Sequence, residues 1–183
     1  ISKDIKIPIT NIVFMGMGEP FLNYNNVITA CDILNNPSGF NLSSKRITIS
    51  TSGILPKIEK YISEKHKYKL AISLNASNNK IRNQLIPINK KWPIESILDV
   101  IKKYKFRKYQ PIMFEYVLIN GVNDSRENAK ELASLLKQIS CKINIIPYNV
   151  TVNDYKRSKN IETFINTLNN HKGDFRVLIR KNK

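Results

Sequence analysis

Short, β-branched apolar runs alternate with longer segments whose apolar residues recur three and four positions apart, and this alternation extends along most of the chain. The runs of strand type are residues 11–15 (NIVFM), 46–53 (RITISTSG), 69–75 (KLAISLN), 112–119 (IMFEYVLI), 142–148 (KINIIPY) and 175–179 (FRVLI). Between them, helical spacing marks residues 27–34, 55–65, 79–85, 94–104, 125–139 and 161–168. In the first helix Val27, Ile28, Ala30, Cys31, Ile33 and Leu34 form the apolar stripe, and Asn35, Asn36, Pro37 and Gly39 close it. Strands alternating with helices call for parallel pairing with right-handed crossovers, so the pattern predicts an α/β fold.

The apolar runs end abruptly in polar residues. After residues 11–15 come two glycines, a carboxylate and a proline, which predicts a strand stopping at a ligand-sized gap. Gly16 and Gly18 allow positive φ or a close approach of a small molecule to the main chain, and Glu19 offers an acceptor to an ammonium group. A plain strand-to-loop turn is the competing reading. In parallel α/β folds function gathers at the carboxyl ends of the strands, where Glu19, Ser50, Ser52, Ser73, Asn75 and Asn149 fall on one rim. Taken singly, each Ser or Asn also reads as a helix cap or a turn former.

With 183 residues and 42% hydrophobic composition, the chain is long enough to bury a core as one domain. No apolar run approaches the length of a membrane-spanning helix, so no membrane association is expected. The sequence starts at Ile1 without an initiator Met or an apolar leader, which predicts a piece of a longer polypeptide. Cys31 and Cys141 fit neither a disulfide framework nor a Cys-x-x-Cys metal pair, and point to a reducing compartment, the cytoplasm.

Thirty Lys and Arg against 14 Asp and Glu give a net charge of +16, a footprint of polyanion binding. Heavy use of Ile, Lys and Asn offers a second origin for the charge, an A/T-rich coding sequence. Lys102, Lys103, Lys105, Arg107 and Lys108 interleave with Tyr104, Phe106 and Tyr109, which suits phosphate neutralisation with base stacking. The same run reads as a snorkelling helix end with its aromatics packed inward. Lys90, Lys91 and Trp92 in a Pro-rich connector form a second candidate surface, with Trp92 as its anchor.

Six strings carry a resemblance to a known family: MGMGEP (15–20), RITISTSG (46–53), AISLN (71–75), IPINKK (86–91), EYVLINGVND (115–124) and CKINIIPYN (141–149). In this order the chain resembles the RlmN/Cfr family of radical S-adenosylmethionine RNA adenosine methyltransferases. The resemblance implies a partial TIM-type (β/α)6 radical SAM barrel, lacking the first strand and the cluster loop. It also implies S-adenosylmethionine and a [4Fe-4S] cluster as cofactors of the intact enzyme, and methyl transfer to carbon-2 of an adenosine through a methylated cysteine. The implied partners are RNA, namely 23S rRNA and also tRNA, and an electron donor such as flavodoxin. Carried over by motif, the cofactor-binding residues are Gly18, Glu19, Ser50, Ser73, Leu74, Asn75 and Asn149. Asn75 stands where many members have His, which keeps hydrogen-bonding capacity and loses a titratable group.

Two parts of the family pattern are missing. The Cys-x-x-x-Cys-x-x-Cys run expected before the Gly-Glu-Pro strand does not occur, and the methyl-accepting cysteine expected beyond the last strand is absent. Cys31 and Cys141 are placed as core residues, not as substitutes for these groups. The isolated chain is therefore expected to be inactive, as a fragment of the enzyme. The alternatives are a non-catalytic RNA-binding relative and a different radical SAM enzyme.

Overall fold

A computed structural model of the chain describes residues 9–15, 17–103, 111–150 and 155–180. Its elements are β1 (Ile12–Phe14), α1 (Tyr24–Asn35), β2 (Ile47–Thr51), α2 (Leu55–Ser63), β3 (Lys69–Ser73), α3 (Asn79–Leu85), α4 (Ile94–Lys103), β4 (Ile112–Leu118), α5 (Arg126–Leu136), β5 (Cys141–Pro147), α6 (Ile161–Asn169) and β6 (Phe175–Ile179). All six strands are parallel and lie in chain order, each paired with the next, as the alternation predicts. Several elements are shorter than their patterns suggest. The run 46–53 pairs only over β2, because Ser44–Arg46 is a 3-10 turn and the chain leaves the sheet after Thr51. Residues 74 and 75 likewise leave β3, and residues 64 and 65 fall beyond α2.

Side chains alternate across a strand, so each strand sends one set of residues under the helices and the other to the opposite face. Ile47, Ile49, Leu70, Ile72, Phe114, Tyr116, Ile143 and Ile145 join Cys31, Ile58, Leu132 and Phe164 of the helices in the core. In α4, Ile94, Ile97, Leu98 and Ile101 recur at helical spacing and are at most 1% exposed. Burying each such side chain contributes about 1.5–3 kcal/mol. The other face carries Ser50, Ala71, Met113, Lys142 and Arg176 in one register row, and Ser73, Glu115, Asn144 and Leu178 in the next. Polar groups thus line the sheet face turned away from the helices.

Two loops beyond the strand ends are fixed by buried amides and carboxylates. Asn123, fully buried, accepts from the Ile119 amide at 2.7 Å and donates to the carbonyls of Asn75 and Val117 at 2.8 Å. Asp124 accepts from the Gly121 amide at 2.8 Å and from Ser158 Oγ at 2.5 Å, with Gly121 at a φ of 69° in the turn. The Asn-Gly-Val-Asn-Asp string therefore clamps the end of β4 onto the end of β3. α5 then starts with a capping box between Ser125 and Asn128, satisfying two backbone donors that a helix start leaves free.

Candidate cofactor site at the strand ends

The Gly-Glu-Pro turn is closed by its own carboxylate. Glu19 caps the 3-10 turn Pro20–Asn23, accepting from the Phe21 amide at 2.9 Å through Oε1. Its Oε2 accepts from both the amide and the hydroxyl of Ser52, each at 2.7 Å. Glu19 is thus a strap from the end of β1 to the end of β2, and Oε1 keeps one lone pair for a ligand donor. Of the two roles expected for Gly18, positive φ is not taken up, and a Cβ built there meets nothing within 4 Å. Its contribution is open space above the backbone, not a left-handed turn. Gly53 holds the positive φ, 111°, and a Cβ there falls 2.6 Å from Ile97 Cδ1 and 3.2 Å from Arg82 Nη2. Gly16 lies outside the described residues.

Ser50 and Ser73 meet on the polar face of the sheet around a carboxylate that the strand pattern alone does not single out. Ser50 Oγ donates to Glu115 Oε2 at 2.7 Å, and Ser73 Oγ lies 3.3 Å from the same oxygen and 3.4 Å from Ser50 Oγ. Glu115 is 6% exposed. Its main-chain carbonyl accepts from the amides of Leu74 and Asn75 at 3.0 and 3.1 Å. Its place on the face opposite Phe114 and Tyr116 is the one sequence signal for it, an acid at a polar-parity position in an otherwise apolar run.

Beyond β3, Asn75 adopts a φ of 55°, a region that Asn enters more readily than most residues. Its Oδ1 accepts from the Val117 amide at 2.8 Å, so that oxygen serves the fold and Nδ2 is the group left for a ligand. Leu74 is fully buried, its amide given to Glu115 and its carbonyl accepting from Arg82 Nε at 3.1 Å. Only its backbone borders the rim. Arg82 is fully buried without a carboxylate partner among the described residues. Its Nη2 donates to the carbonyls of Ser52 at 2.5 Å and Ser73 at 3.2 Å, and Nη1 to Asn89 Oδ1 at 2.9 Å. Burial lowers its pKa to about 10, still far above neutrality, so it remains a cation.

A cavity of about 170 Å³ opens at this rim, lined by Met15, Gly18, Glu19, Pro20, Ser50, Thr51, Ser52 and Ser73. A second depression of about 230 Å³, lined by Phe14, Met15, Val27 and the same Gly-Glu-Pro turn, adjoins it. The geometry thus brings together Gly18, Glu19, Ser50 and Ser73. Asn75 and Asn149 lie off the cavity wall, Asn149 exposed just after β5. Lys102 and Lys103 form the exposed last turn of α4, while the remaining basic and aromatic residues to Tyr109 lie outside the described residues. Lys91 Nζ stands 4.8 Å from the Trp92 ring centroid, and the partly buried Trp92 packs against the core as a loop anchor.

The thiols do not fit a cluster. Cys31 and Cys141 are buried and free, and burial pushes both up to about 12, with Asp32 and Asp174 adding to the rise. Cluster ligation needs thiolates, and among the described residues no group of three His, Cys, Asp or Glu could hold a metal ion. No described helix is long and apolar enough to cross a membrane.

Comparison with known proteins agrees with this fold. Over 182 residues the chain is 48% identical to the dual-specificity RNA methyltransferase RlmN of Buchnera aphidicola subsp. Cinara cedri, covering 96% of this chain and 50% of that protein. It is 46% identical over 165 residues to the probable dual-specificity RNA methyltransferase RlmN of Spiroplasma citri, covering 90% and 48%. The chain therefore spans about half the length of these curated relatives. A radical SAM methyltransferase from Sphaerobacter thermophilus superposes with a TM-score of 0.89 at 38% identity, over 99% of this chain and 54% of that one. A domain of a pyruvate-formate lyase-activating enzyme from Bacteroides vulgatus, 19% identical with a TM-score of 0.65, shares the fold. Residues 1–136 match the radical SAM superfamily, and with the parallel partial barrel and its polar rim this places the chain in that family.

Proposed function

We propose that the chain is the central part of a radical SAM RNA methyltransferase, one incomplete barrel that contributes the S-adenosylmethionine wall. The observation that carries this is the polar cradle of Glu19, Ser50 and Ser73 around the rim cavity, built from the strings that resemble the methyltransferase family. S-adenosylmethionine supplies the methyl group when bound. Gly18 gives its backbone an open approach, Glu19 offers an Oε1 lone pair and neighbouring carbonyls to the ammonium, and Ser50 and Ser73 hold the remainder, with Asn75 and Asn149 reaching the ligand from beyond the cavity wall and Leu74 contributing backbone alone. The relatives are named RNA methyltransferases, and the +16 charge suits an RNA substrate, 23S rRNA and tRNA, with adenosine carbon-2 as the acceptor. The [4Fe-4S] cluster would belong to the full-length polypeptide, since the thiols here do not suit a cluster, and a flavodoxin or similar protein would be its separate electron donor. Free, buried thiols are in keeping with the cytoplasm.

The test uses the full-length polypeptide, methyl-labelled S-adenosylmethionine and an RNA transcript. Label should enter the adenosines of the RNA, and Glu19→Ala should weaken cofactor binding by about 1.5–3 kcal/mol, the range for a hydrogen bond to a charged group. Gly18→Val should weaken it further, by filling the space the ligand crosses. Because Glu19 also straps Ser52, a parallel melt separates loss of binding from loss of fold. Unchanged affinity in both variants would show that the site lies elsewhere.

A further inference from the structure

At the carboxyl ends of the paired strands β2 and β3, the direction of two hydrogen bonds has a chemical consequence. A serine hydroxyl has one proton and two lone pairs. Ser50 gives its proton to Glu115 Oε2 at 2.7 Å. The Ser73 proton goes either to the same oxygen at 3.3 Å or to Ser50 Oγ at 3.4 Å. Both hydroxyls border the rim cavity, so toward a ligand they present lone pairs only. Glu115 sets the adjacent turn as well, through its carbonyl bonds to the Leu74 and Asn75 amides. One buried residue therefore determines both the shape and the hydrogen-bonding polarity of this wall.

We propose that Glu115 is a positioning residue of the cofactor site, which turns Ser50 and Ser73 into obligate acceptors so that the wall selects ligand groups that donate. This rests on the S-adenosylmethionine reading above. In that ligand the donors available are the two ribose hydroxyls, the ammonium group and the adenine 6-amino group. A residue that merely filled space would affect all analogues alike, whereas one that sets polarity affects only those carrying the matching donor.

The experiment titrates full-length protein with S-adenosylmethionine, then with S-adenosylhomocysteine and its 2′-deoxy, 3′-deoxy, α-desamino and 6-deaminated (inosine) analogues. Wild-type protein should bind one of the donor-deleted analogues about three- to tenfold more weakly than the parent if a ribose hydroxyl or the adenine amino group is read, and about ten- to 150-fold if the ammonium is. Which analogue suffers identifies the donor. Glu115→Gln, whose amide can donate to the serines and turn their protons outward, should bind the parent more weakly and lose most of that discrimination. Ser50→Ala is the second arm, independent of how well the Glu115 variant folds: it should reduce affinity for the parent and leave that for the sensitive analogue nearly unchanged. Full discrimination in both variants, or equal loss across all ligands in both, overturns the Glu115 proposal while leaving the cofactor reading intact. No binding of S-adenosylmethionine by the wild-type protein overturns both.

Discussion

Replacing Arg82 with Met should unfasten the carboxyl ends of β2 and β3. The guanidinium makes four hydrogen bonds, three to the carbonyls of Ser52, Ser73 and Leu74 and one to Asn89 Oδ1, and is fully buried. Counted independently, four bonds from a charged donor amount to about 6–12 kcal/mol. They share one side chain, and desolvating the cation offsets several kcal/mol of that sum. Methionine keeps much of the stem volume but leaves those acceptors without their donor, so the loss should be about 3–5 kcal/mol, the range for removing one member of a buried charged network. A domain of ordinary stability has only about 5–15 kcal/mol in all. Urea unfolding followed by circular dichroism measures this directly. With a slope near 2 kcal/mol/M, the midpoint should fall by roughly 1.5–2.5 M. Lys in place of Arg should recover only part, because an ammonium cannot serve acceptors spread across a planar fork. A Met variant whose midpoint moves by less than about 0.5 M at unchanged slope would refute the clamp.

Acid should destabilise the fold through two carboxylates held below their ordinary range. Glu131 is lowered by the Ser77 hydroxyl and the Asn78 amide, and Glu64 by Tyr24 and His66. The unfolded chain binds more protons there, so this stability is present above about pH 4.5 and is lost as the pH falls through the folded values. Ser77→Ala should raise the Glu131 titration in NMR, and an unmoved titration would remove the hydroxyl as its cause. Both thiols, pushed up to about 12 by burial, should resist alkylation at pH 8 in the native protein and react fully in denaturant; rapid native labelling would contradict their core placement.

Much of the architecture was legible in the sequence because strand and helix periodicities are local properties. Six short apolar, β-branched runs, separated by helical runs at period 3.6, define parallel α/β pairing without any distant contact. The rim was legible too, since a polar residue ending an apolar run sits at a strand end whichever neighbour it later meets. Gly-Glu-Pro, Ser50 and Ser73 were identifiable on that ground.

What the tertiary structure alone decided is which groups are spent on one another. Glu19 reads as a free acceptor until Ser52, 33 residues away in sequence, takes both lone pairs of one of its oxygens. Asn75 reads as a ligand donor and acceptor until the Val117 amide occupies its Oδ1. Arg82 was hidden by local pattern, for in Asn79–Leu85 the apolar residues Ile81 and Leu85 are the expected inward positions. Instead the arginine is buried, because the carbonyls leaving two neighbouring strands converge beneath that helix. Glu115 was visible as an acid in an apolar strand, but only the register of β4 beside β3 sets it against Ser73 and makes it the acceptor that orients the wall. Periodicity is written in neighbouring residues, whereas hydrogen-bond satisfaction is settled between residues that the fold brings together.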